Sequence, residues 1–464
     1  VLLPAAAIAT GGQNQTQLVP CKLPDLKTIQ ARCGTINVRE NPARADSRKI
    51  AIHFAVVPAR RAPLSDPIVP LMGGPGEDAI SAAAFYAQQF DELREHRDLL
   101  LIDQRGTGKS APLHCDLYSK AHPGTSLSDV FPEATAEDCE AKLSAHADLT
   151  QYGYARFADD IERIRVVLGY KTLDIFAGSY GTRAAVVFLR AHPTSVRTLF
   201  LGSVVPIDIA QPLPMARTAD HAIDDLITAC TADASCHDAF PRFRSEFEDI
   251  STRLSAGVEV TLPNTSDKVR LSRGRVFEWM RSLLYRPKSA TALPWDIHQA
   301  FAGNWTPIVT AILTESQQAD QELSLGLFFA ITCNEDIPFL EKHAILEQTR
   351  GTYLGDYRVR QQRAACQFWP RSALSAGYRD PVQSSVPTLF VTGDADGGTP
   401  VGFTEHVAPG FSASVTVIAR GQGHTEWSDC VGKLYQRLVN SGSTRELAGA
   451  TCPPVPRPAF KTTP

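Results

Sequence analysis

Short apolar runs closed by glycine recur along the chain, with apolar positions at helical spacing between them. Lys49–Val57 (KIAIHFAVV) alternates as a half-buried strand does, and its His53 is read as an ordinary strand residue. Ile68–Met72 and the run within 97–103 (RDLLLID) are continuous, the pattern of strands covered on both faces. Residues 153–169 carry apolar side chains at helical spacing and lead into a buried strand over 173–177. Ser179 follows between two glycines, and an Ala/Val-rich segment after it predicts a helix. Val196–Gly202 predicts a further strand. Strands alternating with helices imply crossover units and a mostly parallel sheet.

From 205 to 380 the texture changes. Helical patterns dominate (221–227, 275–284, 323–331) and strand-like runs become rare. Val386–Thr392 and Ser414–Ala419 then restore the strand rhythm. A helical block between two halves of one alternation predicts an inserted lid over 205–380, on an α/β core formed by 36–204 and 381–452. Residues 1–35 read as a polar N-terminal segment pinned by Cys21 and Cys33, and 453–464 as a Pro-rich tail.

Composition narrows the class. The chain has 464 residues, 43% of them hydrophobic, and a net charge of -4. That balance argues against a general nucleic-acid binder, and no apolar run has the length of a membrane span. Val1–Ala9 reads either as the end of a secretory signal or as a floppy arm. Ten cysteines fall into five pairs of sequence neighbours without a C-x-x-C motif, and an oxidising compartment would let those neighbours close short loops. Secretion or periplasmic export is therefore expected. Sequons stand at Asn14, Asn264 and Asn304.

The stretch around Ser179 (A-G-S-Y-G) has the form of a nucleophile elbow, G-x-S-x-G, with Ala177 at the first glycine. A serine needs a base to take its proton, and the base needs an acid to hold its tautomer. The strand over 386–392 runs into GDADGGTP, which offers Asp394 and Asp396. The strand over 414–419 runs into GQGHT, which puts His424 on a Gly-rich loop. The order serine, acid, histidine is that of α/β-hydrolases. Their fold is accordingly expected: α/β, a mostly parallel sheet with an inserted helical lid. Two backbone N–H donors must face the substrate oxyanion. Tyr180 is one candidate; Gly74 or Gly73, in GGPG after Ile68–Met72, is the other.

A competing motif lies at Asp103–Ser110 (DQRGTGKS), which ends like a phosphate-binding loop. An aspartate stands where that loop needs its first glycine, and a carboxylate is a poor neighbour for phosphate.

Together, GGPG, DQRGTGKS, AGSYGT, GDADGGTP and GQGH resemble the α/β-hydrolase family of prolyl and tripeptidyl aminopeptidases. The exported tripeptidyl-aminopeptidase-like branch is the more similar, by its early and late cysteine pairs and by Cys333-Asn-Glu335. The resemblance spans roughly Cys21 to Cys452. It implies that Asp396 is the acid, and that acidic lid residues, Glu335 and Asp336, bind the substrate's free ammonium; Glu77 and Asp78 are the rivals. Met72 departs from the histidine usual before GGPG.

The expectation is a serine exopeptidase acting on peptides with a free N-terminus through an acyl-enzyme, with Ser179, Asp396 and His424 as triad and no metal or organic cofactor. Three alternatives stand beside it: a carboxylesterase or lactone hydrolase with the same triad, a nucleotide binder using Lys109, and a non-catalytic hydrolase-fold binding protein.

Overall fold

The computed structural model describes residues 18–26, 29–118 and 123–463. The apolar start, Val1–Ala9, and the sequon at Asn14 lie outside the described residues. Eleven strands are described: β1 (Val19–Cys21), β2 (Ala31–Arg39), β3 (Lys49–Val57), β4 (Ile68–Leu71), β5 (Leu99–Ile102), β6 (Leu173–Gly178), β7 (Val196–Gly202), β8 (Val258–Thr261), β9 (Lys268–Leu271), β10 (Thr388–Gly393) and β11 (Ser414–Ala419).

Nine of them form one sheet in the order β1-β2-β3-β5-β4-β6-β7-β10-β11. The first four pair antiparallel, and from β5 to β11 every neighbouring pair is parallel. Every residue of β4, β5 and β10 is buried, as strands covered on both faces require. Apolar clusters fill the two sides of the sheet; one continues into the lid and the other packs beneath the helix Asp429–Ser441.

Two boundaries drawn from the sequence change. Residue 35 is not a domain edge: β2 runs through it, pairing with β3 over eight positions. Its alternation was hidden by Gly34, which leaves room for Phe54, since a Cβ there would meet the ring at 2.5 Å. The stretch after 452 is not a detached tail. Val455 N–H donates to Arg420 O at 2.9 Å, Lys461 N–H to Thr291 O at 3.1 Å, and Phe460 is buried.

Between β7 and β10 the chain forms a set of helices and one hairpin, β8–β9, which the sequence reading did not anticipate. Helix Leu325–Glu335 is buried along its whole length. Ser324 N–H bonds Gly76 O at 2.9 Å and Gly326 N–H bonds Leu113 O at 3.0 Å, fastening this helix to the core. Five disulfides join Cys21–Cys33, Cys115–Cys139, Cys230–Cys236, Cys333–Cys366 and Cys430–Cys452, the five neighbour pairs. Among the described residues no helix is long and apolar enough to cross a membrane.

The strand order fixes where a site can form. From β4 the chain steps outward to β5; from β6 it steps the other way to β7. Loops after the adjacent strands β4 and β6 therefore diverge and leave a crevice at their carboxyl ends.

Candidate active site

Both walls of that crevice are the expected ones: the GGPG loop after β4 and Ser179 after β6. Ser179 has φ 54°, a left-handed conformation that a side chain adopts only at a cost. The turn into the helix Gly181–Ala191 tolerates it because its neighbours are small. A Cβ on Gly181 would lie 2.2 Å from the Leu71 carbonyl oxygen, and one on Gly73 would lie 3.1 Å from Ser179 Cβ. Ala177, inside β6 and fully buried, is accommodated where the elbow pattern has glycine.

The loops after β10 and β11 meet the serine. His424 Nε2 lies 2.9 Å from Ser179 Oγ, and His424 Nδ1 lies 2.9 Å from Asp396 Oδ2. A carboxylate only accepts, so Nδ1 carries the proton and Nε2 is the acceptor for the serine hydroxyl. Asp396 is held by Gly398 N–H and Thr399 N–H, both at 2.8 Å, and by the Thr399 hydroxyl at 2.6 Å. Burial pushes its carboxyl up, but His424 and these donors outweigh that, and it stays below the usual carboxylate range. The choice left open by the residues is thereby resolved in geometry. Asp394 is exposed and accepts Gly421 N–H at 2.7 Å.

Of the candidate oxyanion donors, the amides of Tyr180 and Gly74 have no acceptor among the described residues. Gly73 differs: its N–H donates to Glu77 Oε2 at 3.2 Å, which removes it as a free donor. Glu77 and Asp78 line a cavity of about 590 Å³ that also contains Ser179, Tyr180, Gly74 and His424. Burial raises the Glu77 carboxyl, opposed by the Gly73 amide and by nearby His424.

Glu335 and Asp336 do not reach the cavity surface, contrary to the role implied by resemblance. Asp336 is fully buried and receives Arg183 Nη1 and Gln211 N–H, each at 2.8 Å, and the Tyr180 hydroxyl at 3.2 Å. Glu335 accepts Tyr154 N–H at 3.1 Å, and burial pushes its pKa up to about 7. Both ends of this latch are occupied: it joins the lid helix to the elbow helix.

The phosphate-loop alternative fails on local geometry. Asp103 is buried and turns into its own loop, accepting Lys109 N–H at 3.2 Å and Ile80 N–H at 3.0 Å. The loop's amide is thus occupied, and residues 111–118 run without a helix.

The sequence reading missed the charged lid residues that line the cavity: Arg275, Glu278, Arg281, Glu315, Glu322 and Arg358. A signal existed. Arg275, Glu278 and Arg281 recur every third residue on one helix, which puts them on one face.

Fold, elbow and acid–base loops together define an α/β-hydrolase with a serine at its nucleophile position. A family model described as "alpha/beta hydrolase fold" matches residues 66–228, and one described as "TAP-like protein" matches 352–452. The first contains the GGPG loop and Ser179; the second contains Asp396 and His424. YuaR of Escherichia coli (strain K12), whose name assigns it provisionally to the hydrolases, is 24% identical over 77% of this chain and 73% of its own length. A proline iminopeptidase of Xylella fastidiosa (strain 9a5c) is 28% identical over 31% of this chain and 33% of its own. An esterase from Exiguobacterium antarcticum superposes with a TM-score of 0.36 at 15% identity, covering 85% of this chain and 96% of that one. The chain has the α/β-hydrolase fold, and its resemblance to the prolyl and tripeptidyl aminopeptidases is borne out.

Proposed function

We propose that this hydrolase is a serine exopeptidase that removes residues or short peptides from free N-termini through an acyl-enzyme. Ser179 Oγ attacks the scissile carbonyl while His424 Nε2 takes its proton and passes it to the leaving amine. The amides of Tyr180 and Gly74 receive the oxyanion, and Asp396 holds the imidazolium. Water then bonds the acyl carbon as His424 Nε2 takes its proton, and His424 returns that proton to Ser179 Oγ as the acyl–oxygen bond breaks. The observation that carries the peptidase reading is Glu77, a half-buried carboxylate in the wall of the cavity that holds the serine. Together with Asp78 it offers the substrate ammonium a charge-assisted partner. The five disulfides support export to an oxidising compartment, where they persist.

The test compares matched fluorogenic substrates: prolyl, alanyl and tripeptidyl amides with a free amine, the same tripeptide N-blocked, and a simple acyl ester. Faster turnover of the free-amine peptides is expected. Preference for the blocked peptide sinks the aminopeptidase reading and leaves the hydrolase intact. An ester rate far above every amide rate turns the assignment to a carboxylesterase.

A further inference from the structure

The lid's share of the cavity wall carries unbalanced charge. Arg275 and Arg281 come from helix Arg273–Leu283 and Arg358 from helix Tyr357–Ala365; all three are buried and line the cavity. Two carboxylates answer them. Glu278 accepts Arg281 Nε and Nη2, at 3.0 and 2.6 Å, and Arg358 Nη1. Glu315 accepts Arg275 Nη2 at 2.7 Å and the Ser282 hydroxyl. Three guanidinium groups against two carboxylates (3 − 2 = 1) leave one positive charge unmatched. A guanidinium cannot shed its proton, so the surplus persists at any working pH.

The surplus falls on Arg281 and Arg358, which share Glu278, whereas Glu315 pairs with Arg275; a separate observation singles out Arg275. Arg275 Nη1 is buried and has no acceptor among the described residues. Its Nε is taken by Ser126 O at 3.0 Å and its Nη2 by Glu315, so one edge of the fork is unused. The remaining acidic lining residues do not balance it, because they gather at the GGPG loop. Glu77 and Asp78 belong to that loop's exit. Glu322 ends the helix Thr306–Glu322, beside Leu323, whose side chain would lie 3.3 Å from a Cβ on Gly74. The cavity therefore has an acidic side at the catalytic loop and a guanidinium-rich side on the lid. A buried guanidinium N–H with no acceptor is costly to keep, and a planar carboxylate is the group such a fork fits best.

We propose that a carboxylate of the substrate docks on the lid wall at Arg275, making this residue a determinant of specificity. It rests on reading the cavity as a peptide site and adds the substrate class: peptides bearing an acidic side chain, or a C-terminal carboxylate close to the cut bond.

The test measures kcat/KM for pairs that differ only in charge: a Glu-containing peptide against its Gln counterpart, and a short peptide acid against its amide. These arms separate side-chain from C-terminal carboxylates. Wild-type protein is expected to favour the charged member of at least one pair by about tenfold or more. That ratio is expected to collapse toward one in Arg275→Gln. Ratios within twofold in the wild type for both pairs overturn the proposal without recourse to any variant. So does a preference that survives unchanged in soluble, folded Arg275→Gln. A third pair guards against failure of the peptidase reading: p-nitrophenyl hemiglutarate against p-nitrophenyl valerate. Should no peptide be cut while the charged ester still outpaces the neutral one in an Arg275-dependent way, the aminopeptidase reading falls and the carboxylate site stands.

Discussion

The catalytic loops and the lid solve opposite problems with opposite materials. At the carboxyl ends of β6, β10 and β11 the chain uses glycines and short polar side chains, and backbone segments nearly touch. A Cβ on Gly393 would sit 2.1 Å from Gln422 O. Geometry there is set by close approach, with little slack. The lid relies on long charged side chains: its Asp336 pairs with Arg183 of the core, its Arg275 reaches Ser126 O of the core, and within it Glu278 gathers Arg281 and Arg358. One region holds three side chains in line; the other lays a charged wall along the cavity. Chemistry should therefore be lost by changes in the first, and stability or selectivity by changes in the second.

The largest expected effect is on the first region. Ser179→Ala or His424→Ala should lower kcat by about 10⁴-fold or more on any substrate, ester or peptide, with unfolding transitions unmoved. A comparable loss of folding would break the contrast. In the second region, Asp336→Asn strands the Arg183 guanidinium in the interior. Unfolding in denaturant should become easier by roughly 3–5 kcal/mol.

Next is pH. Burial raises Glu335 to about 7 against 4.5 for the free side chain. Between those values the folded state holds a proton that the unfolded chain does not. Its contribution is therefore fully present below about pH 4.5 and is lost as pH rises through 7. It amounts to roughly 3 kcal/mol by linkage. Glu335→Gln, which cannot ionise, should flatten that slope, read as the difference in thermal midpoints at pH 5 and pH 8. The smallest effect is the most selective. Glu77→Gln keeps an acceptor for Gly73 N–H but loses the charge. It should cut kcat/KM on free-amine peptides by about 10–100-fold and leave N-blocked peptides and esters nearly unchanged.

The two regions also differ in how readily they were read from sequence. Ser179, Asp396 and His424 each end an apolar strand and sit among small residues, so strand, turn and chemistry are written within ten residues. The sheet was legible for the same reason, except β1, three residues within the polar N-terminal segment, and β2, where Gly34 and scattered polar residues mask an alternation that only Phe54 explains. The lid follows no such local rule. Arg275, Glu278 and Arg281 have the spacing of a solvated helix face, and only packing against helices Tyr357–Ala365 and Thr306–Glu322 buries them. Glu335 and Asp336 were sought at the cavity because their neighbours fit a family pattern. Which way a carboxylate points at the end of a helix depends on what it meets, here Tyr154, Arg183 and Tyr180.

The lid enters the chain between β7 and β10, and those two strands are themselves hydrogen-bonded neighbours, Leu199 opposite Thr388 through Gly202 opposite Val391. A parallel pair needs some crossover to join it, but its register constrains only where that crossover leaves and returns. The interior of the excursion can be exchanged, as a cartridge is, provided the replacement supplies a partner for Arg183, acceptors for His424 N–H and Gly397 N–H in place of Tyr285 O and Leu284 O, and donors for Gly76 O and Leu113 O. Transplanting a foreign lid between 203 and 387 would then redirect what is cut while the cutting apparatus stays as it was.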